Sequence, residues 1–394
     1  MSIELDMMQT MAVGILALLL GEVLNRRVRV LKHICIPSPV SGGLIFSLLT
    51  LALYKFGNIE IGFNGTLKDI CMIMFFTTVG FQSDLKVLKK GGKPLVMLVI
   101  IVALLITVQN LVGVGLAKAL GINPLIGMAA GSVTMCGGHG TAAGFSSLME
   151  KLGLQSATTV LMAAATFGLL GGSLLGGPLA GRIIRRKGLA DTEDASGNWS
   201  WHEDDTLKSS SSYAKAVFEI FLAAGIGTLV SKLLALTGLT FPTYFGALVT
   251  AVVIRNVSEH IPGCPRPSMV EISSIGGISL MLFLGMAMVS LRLWELSGIA
   301  LPLLLILAVQ VGVIALFARF VAFPLLGRNY DAAVLVGGLC GFGLGATPNA
   351  MANMSAVCSR FRYAPMPFVI IPIVGAMFVD IINIGVISLF LSFI

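Results

Sequence analysis

Apolar residues in this chain come in long unbroken runs, at roughly residues 9 to 24, 38 to 54, 70 to 82, 95 to 117, 158 to 181, 214 to 235, 241 to 254, 272 to 291, 299 to 323 and 366 to 394. Runs that are continuous and rich in Leu, Ala, Ile and Met predict helices apolar on all sides; a membrane β-barrel would need alternating segments of about ten residues. Several runs are shorter than the ~20 residues that an isolated span requires. The pattern predicts ten spanning helices, five on either side of a polar centre, and so an all-α polytopic membrane protein. Residues 1–187 form a first five-helix repeat, 188–213 a linker and 214–394 a second five-helix repeat. Composition agrees: 56% hydrophobic residues, 11% charged and a mean hydropathy of +0.95 over 394 residues leave too little polar surface to cover a water-soluble globule.

Two interruptions in the apolar pattern carry more information than the runs. They are GSVTMCGGHGTAAG from Gly131 to Gly144 and GGLCGFGLGATPNA from Gly337 to Ala350, glycine-rich and free of charge, in corresponding places of the two halves. Short, broken hydrophobic pieces in matching positions are the sequence pattern of a carrier's binding site. The ten residues from Pro124 to Val133 make about 15 Å of helix, half of a hydrocarbon core of about 30 Å. Such a segment reaches the midplane and turns back, which irregular backbone at that depth permits only beside protein or a water-filled cavity. The expectation is two re-entrant hairpins whose tips meet near the membrane centre. Their free N–H groups would suit an anion and their free oxygens a hard cation such as sodium.

A shift of 206 positions brings Gly121 onto Gly327, Asn123 onto Asn329, Gly131 onto Gly337, Gly137 onto Gly343 and Thr141 onto Thr347, with Leu85 and Lys86 on Leu291 and Arg292. With an odd number of spans per half, the second repeat is expected upside down relative to the first. Charge supports the same count. The opening MSIELDMMQT has no Lys or Arg and does not start like a cleavable signal peptide, so an external amino terminus is expected. Alternating sides from there leaves only Lys55, Lys68, Lys118, Lys151, Lys232 and Arg292 of the 26 Lys and Arg outside, and both termini outside. Topology thus explains the net charge of +7, and no basic soluble domain points to nucleic acid. The polar centre, acidic and Ser-rich around Trp199, Trp201 and His202, reads as a flexible cytoplasmic linker.

Other chemistries fit less well. GFGLGA, Gly341 to Ala346, lacks the βαβ context and downstream acid of a dinucleotide site. His139 near Cys136 is no metal motif, and the six cysteines, without C-x-x-C spacing, read as small apolar groups. The Gly168, Gly172 and Gly176 series reads as a helix-packing stripe. Ionisable residues within spans weigh more, because each is costly unless paired or functional. Asp380 in VGAMFVDIINIGV is the strongest candidate, with Asn383 at i+3 on the same face. Together they are expected to coordinate sodium or to take part in proton transfer. Asp331, after Arg328, reads as a helix cap or ion pair. Gln109, Asn110 and Gln310 read equally well as interhelical hydrogen bonders and as cavity lining. A channel would need a continuous polar pore, and an enzyme a convergent catalytic set; neither is visible.

The segments SVTMCGGHGT, NYDAAVLVGGLCGFGLGATPNAMANM, VGAMFVDIIN and IPSPVSGGL resemble bacterial sodium/glutamate symporters, the glutamate:sodium symporter family, over essentially the whole chain. The resemblance implies sodium-coupled uptake of L-glutamate across the bacterial inner membrane, inverted five-helix repeats with re-entrant loops, and a homodimer with an elevator-like movement. It places the first loop motif on Gly137, Gly138, His139, Gly140 and Thr141. The second falls on Gly341, Gly343, Gly345, Ala346, Thr347, Pro348 and Asn349. The related 2-hydroxycarboxylate transporters share the architecture, so citrate or malate is the alternative solute.

Overall fold

The computed structural model describes residues 2–28, 37–83, 92–189, 210–236, 242, 244–258, 267–296 and 298–394. Most of the polar centre, with Trp199, Trp201 and His202, lies outside the described residues, as do Leu85, Lys86 and Ile36. Among the described residues, seven helices are long and apolar enough to cross a membrane. In chain order the first half contains α1 (Met7–Arg27), α2 (Ser38–Gly57), α3 (Thr66–Gln82) and α4 (Gly92–Ala119). A broken segment of α5 (Pro124–Ala129), α6 (Ser132–Met135) and α7 (Gly138–Lys151) follows, and then α8 (Ala157–Lys187). The second half contains α9 (Ser210–Ala235), α10 (Phe245–Ser258), α11 (Met269–Val289) and α12 (Ala300–Phe317). After α12 come a π-turn at Ala318–Ala322, α13 (Phe323–Leu325), α14 (Tyr330–Gly343) and α15 (Thr347–Arg360). The last stretch is α16 (Pro365–Ile373), a second π-turn at Val374–Phe378, and α17 (Val379–Leu391).

Local chemistry accounts for several boundaries. Asp6 starts α1 with a capping box: its carboxylate accepts from the Met8 and Gln9 N–H groups at 2.8 Å, and Gln9 Oε1 accepts from Asp6 N–H at 3.0 Å. The repeated G-x-N does one job twice. Gly121 and Gly327 take positive φ, 68° and 106°, to end one element, and Asn123 and Asn329 then cap the next by accepting from Leu125 and Ala332 N–H. The cap of α14 is therefore Asn329, and Asp331 sits in the first turn, where a carboxylate complements the helix dipole. A short parallel ribbon, β1 (Ser2–Leu5) with β2 (Glu60–Phe63), ties the amino terminus to the α2–α3 connection. Its four-residue strands gave no periodic signal.

The helices pack in two groups, and each half contributes to both in the same order. One group is α1, α2 and α3 with α9, α10 and α11; α3 lies between α10 and α11, and α1 against α2 and α11. The other is α4 to α8 with α12 to α17; α8 is central, against α7, α12, α14 and α15. Contacts between the groups are sparser, chiefly α7 on α11 and the second π-turn on α3. Large apolar side chains point outward from the long helices, among them Phe218 at 71% and Leu301 at 77% exposed, as lipid solvation allows and water does not.

Candidate functional site

Both broken segments end against α8, and the sequence explains why. Along one face of α8 a side chain at Gly168 would collide with the Leu344 carbonyl and one at Gly176 with the Gly337 carbonyl, while at Gly172 it would stand 3.1 Å from the Gly341 carbonyl. The small-residue stripe is a seat for α14, as packing stripes are. Asn349 and Asn353, one turn apart on α15, then fasten the descending arm: their side-chain amides donate to the Leu169 and Gly172 carbonyls at 2.9 Å. Between the arms, Ala346 is extended (φ −160°, ψ 162°), so the amino-terminal end of α15 opens at the break.

The first segment reaches the same place by a different route. Ser132 N–H donates to Asn110 Oδ1 at 2.9 Å, and the Ser132 carbonyl accepts from Asn383 Nδ2 at 3.0 Å, so α6 is held between α4 and α17. Gly138 turns the chain with φ +58°, and a Cβ there would lie 2.6 Å from the Gly345 carbonyl. The two breaks touch, backbone to backbone. Gln109 Nε2 donates to the Gly343 carbonyl at 2.8 Å, and Gln310 Nε2 to the Gln109 carbonyl at 2.7 Å. Gln109, Asn110 and Gln310 are thus interhelical hydrogen bonders.

Where the breaks meet there is a cavity of about 210 Å³. The first segment lines it with Cys136, Gly137, Gly138, His139 and Gly140, the second with Phe342, Gly345, Ala346 and Thr347. Asp380, Val379 and Gly375 close a third side, and Leu280, Leu284 and Pro37 come from the other helix group. His139 Nε2 lies 3.0 Å from Thr166 Oγ1. Thr141 stands behind the wall beside the Asp380 carboxylate. At Gly375 a Cβ would be 2.6 Å from Thr347 Oγ1, so the second break also rests on the π-turn that precedes Asp380.

Most of the expected residues come together here, and five take other positions. Gly341 packs against the first turn of α15, where a Cβ would collide with the Ala350 backbone. Gly343 faces away: a Cβ on it would meet Ile314 Cδ1 and Leu105 Cδ2. Thr141 acts through Asp380, Asn349 is buried against α8, and Asn383 turns its amide to Ser132. The side chain of Pro348 lies outside the described residues. Asn349 and Asn383 each keep one buried carbonyl oxygen without a hydrogen-bond partner, as oxygens available to a cation would be. Sequence reasoning missed Leu169, Leu280 and Leu284, which look like ordinary span residues, and also Pro37, Cys136, Phe342, Gly375 and Val379, which lie within the motifs but carry no chemistry to mark them.

The sodium/glutamate symporter family model matches residues 3–363. The chain belongs to that family. It is 41% identical to the sodium/glutamate symporter of Escherichia coli (strain K12) over 98% of each chain. With the Haemophilus influenzae sodium/glutamate symporter it shares 40% identity over 97% of this chain and 96% of the relative. Among solved structures, the sodium proton antiporter of Methanocaldococcus jannaschii aligns over 98% of this chain and 95% of its own, with 15% identity and a TM-score of 0.43. Membership of the symporter family makes the chain a multi-pass transporter, not an enzyme.

Proposed function

We propose that this symporter-family member takes up L-glutamate together with sodium by alternating access, as a homodimer in the bacterial inner membrane. One observation carries the reading: the cavity is lined by a carboxylate, Asp380, and among the described residues lining it none is Lys or Arg. An anionic amino acid entering such a site faces like charge in a medium of low dielectric, which is costly. Cations must come with it. Sodium at Asp380, completed by oxygens such as the free ones of Asn383 and Asn349, would neutralise the site and order the two breaks. The solute carboxylates then dock on N–H groups at the start of α15 and on Thr347. Sodium and solute thereby share one binding free energy, which is what coupling requires.

In this reading the broken segments are re-entrant hairpins of two inverted repeats, entering from opposite sides. The helix group that carries both breaks moves as a unit against α1–α3 and α9–α11, elevator-like. What supports the division is the sparse packing between the groups and the position of the cavity at their boundary. At about 210 Å³ the cavity is below the ~300 Å³ usual for drug-sized ligands, which favours a solute the size of an amino acid.

The test is uptake of labelled glutamate into proteoliposomes under an imposed sodium gradient, with citrate as challenger and Asp380→Asn alongside. Sodium-driven accumulation in the parent, lost in the variant, is expected. Accumulation that ignores the sodium gradient in both proteins would rule out the scheme, and citrate outcompeting glutamate would replace the solute.

A further inference from the structure

A second cavity, about 330 Å³, lies at the carboxyl end of α8 and the π-turn that follows α12, and shares no lining residue with the first. Arg182, Arg186 and Lys187 reach it from α8, and Arg319 and Arg328 from the opposite wall. Among the described residues no carboxylate lines it, and none of the five cations is in an ion pair. The carboxyl end of α8 favours its own cations, but like charges gathered around one hollow repel each other, so an anion placed there would be stabilising. The rest of the lining is apolar: Leu179, Ile183, Phe320, Phe323 and Pro324, with Phe320 64% exposed.

We infer that this cavity binds the headgroup of an anionic phospholipid. A guanidinium group pairs with phosphate through two parallel N–H···O bonds, and four further cations surround any such pair. Phosphate chemistry alone would fit a soluble anion equally well. The apolar wall decides for lipid, because an exposed Phe beside a basic hollow at the end of two spans offers an acyl chain a place next to its own headgroup. Basic pockets between helix ends are the usual form of such sites. The inference rests only on the chain being a membrane protein, not on the solute or the coupling ion.

The experiment is native mass spectrometry of the purified full-length protein titrated with dioleoylphosphatidylglycerol, with dioleoylphosphatidylcholine as zwitterionic control. An Arg182→Gln/Arg186→Gln/Arg319→Gln variant is compared with Lys55→Gln/Lys118→Gln/Lys151→Gln, which removes the same charge elsewhere. Loss of roughly 100-fold in phosphatidylglycerol affinity is expected for the first variant alone, since each cation near a lipid surface is worth about a factor of five. Equal loss in both variants, or equal binding of the two lipids, overturns the inference. Inorganic phosphate at millimolar concentration displacing the lipid completely would assign the cavity to a soluble anion. If a Glu203→Gln/Asp204→Asn/Asp205→Asn chain binds lipid and the parent does not, the acidic linker fills the cavity and the lipid assignment fails. Should the triple Arg variant not purify as a monodisperse protein, a photoactivatable phosphatidylglycerol on the unmodified chain decides. Adducts within residues 179–187 and 319–328 support the site, and adducts confined elsewhere overturn it.

Discussion

The two broken segments share a starting motif and diverge at their tips. The first is broken twice, around Gly131 and at Cys136 and Gly137, and delivers side chains: His139 to the cavity wall and Thr141 to Asp380. The second is broken once, between Gly343 and Thr347, and delivers backbone: an extended Ala346 and the open amino end of α15. Their supports differ as well. Neutral polar groups on α4 and α17 hold the first, while the second lies along a glycine stripe on α8 and is fastened by two asparagines. Similar sequences have thus been used for two jobs. One tip places an imidazole and a hydroxyl near a carboxylate; the other leaves the N–H groups at the start of α15 open, which in the proposed reading is where the anion docks.

Gly138→Ala attacks the point where the tips touch and carries the largest expected effect. Positive φ costs a residue with a Cβ about 1–2 kcal/mol, and this Cβ would be 2.6 Å from the Gly345 carbonyl. A fall of at least about 100-fold in uptake is expected at unchanged membrane abundance, because separation of the tips opens the cavity. Activity within a few-fold of the parent would mean the contact is incidental. Gly153→Ala, also at positive φ (+96°) but with nothing within 4 Å, separates the backbone cost from the contact and should keep most activity.

Asn353→Ala tests whether the second tip depends on α8. Its amide donates to the Gly172 carbonyl at 2.9 Å, so its removal should destabilise the protein by about 1–3 kcal/mol, read as a lower thermal midpoint in detergent. An unchanged midpoint would show that the glycine stripe alone seats α14. Asn349→Ala is expected to act on binding instead, raising KM roughly tenfold with kcat within a few-fold, since Asn349 positions the first turn of α15. A selective fall in kcat would place it in the moving step. The smallest effect is expected at Gly343→Ala, where the added methyl meets only the ends of Ile314 and Leu105, which can shift: less than about threefold in uptake. A large loss there would return Gly343 to the cavity.

Much of this was legible in the residues, though not evenly. The ten apolar runs coincide with helix, nine with one helix each and the last with α16 and α17 together, because run length is a local property. The G-x-N repeat was visible as a coincidence of letters, and its meaning as a turn and a cap needed only backbone chemistry. The candidate site was readable as motifs and less so as individual side chains. Asp380 and Asn383 share a face by spacing, yet one lines the cavity and the other serves Ser132. Leu280 and Leu284 line the cavity while looking like any residue of a span.

By itself the sequence determined the solvent, the positions of the apolar helices, the places where helices break and the presence of a costly carboxylate at Asp380, since hydropathy, helix length and glycine content add up locally. Tertiary structure alone decided which motif residues face the cavity, that the two breaks touch through Gly138 and Gly345, and that the helices fall into two groups. The reason is rotational. A span apolar on all sides carries no mark of its facing, and one residue inserted by the Val374–Phe378 π-turn rotates everything beyond it by about 100°, so only packing against neighbours sets where Asp380 points.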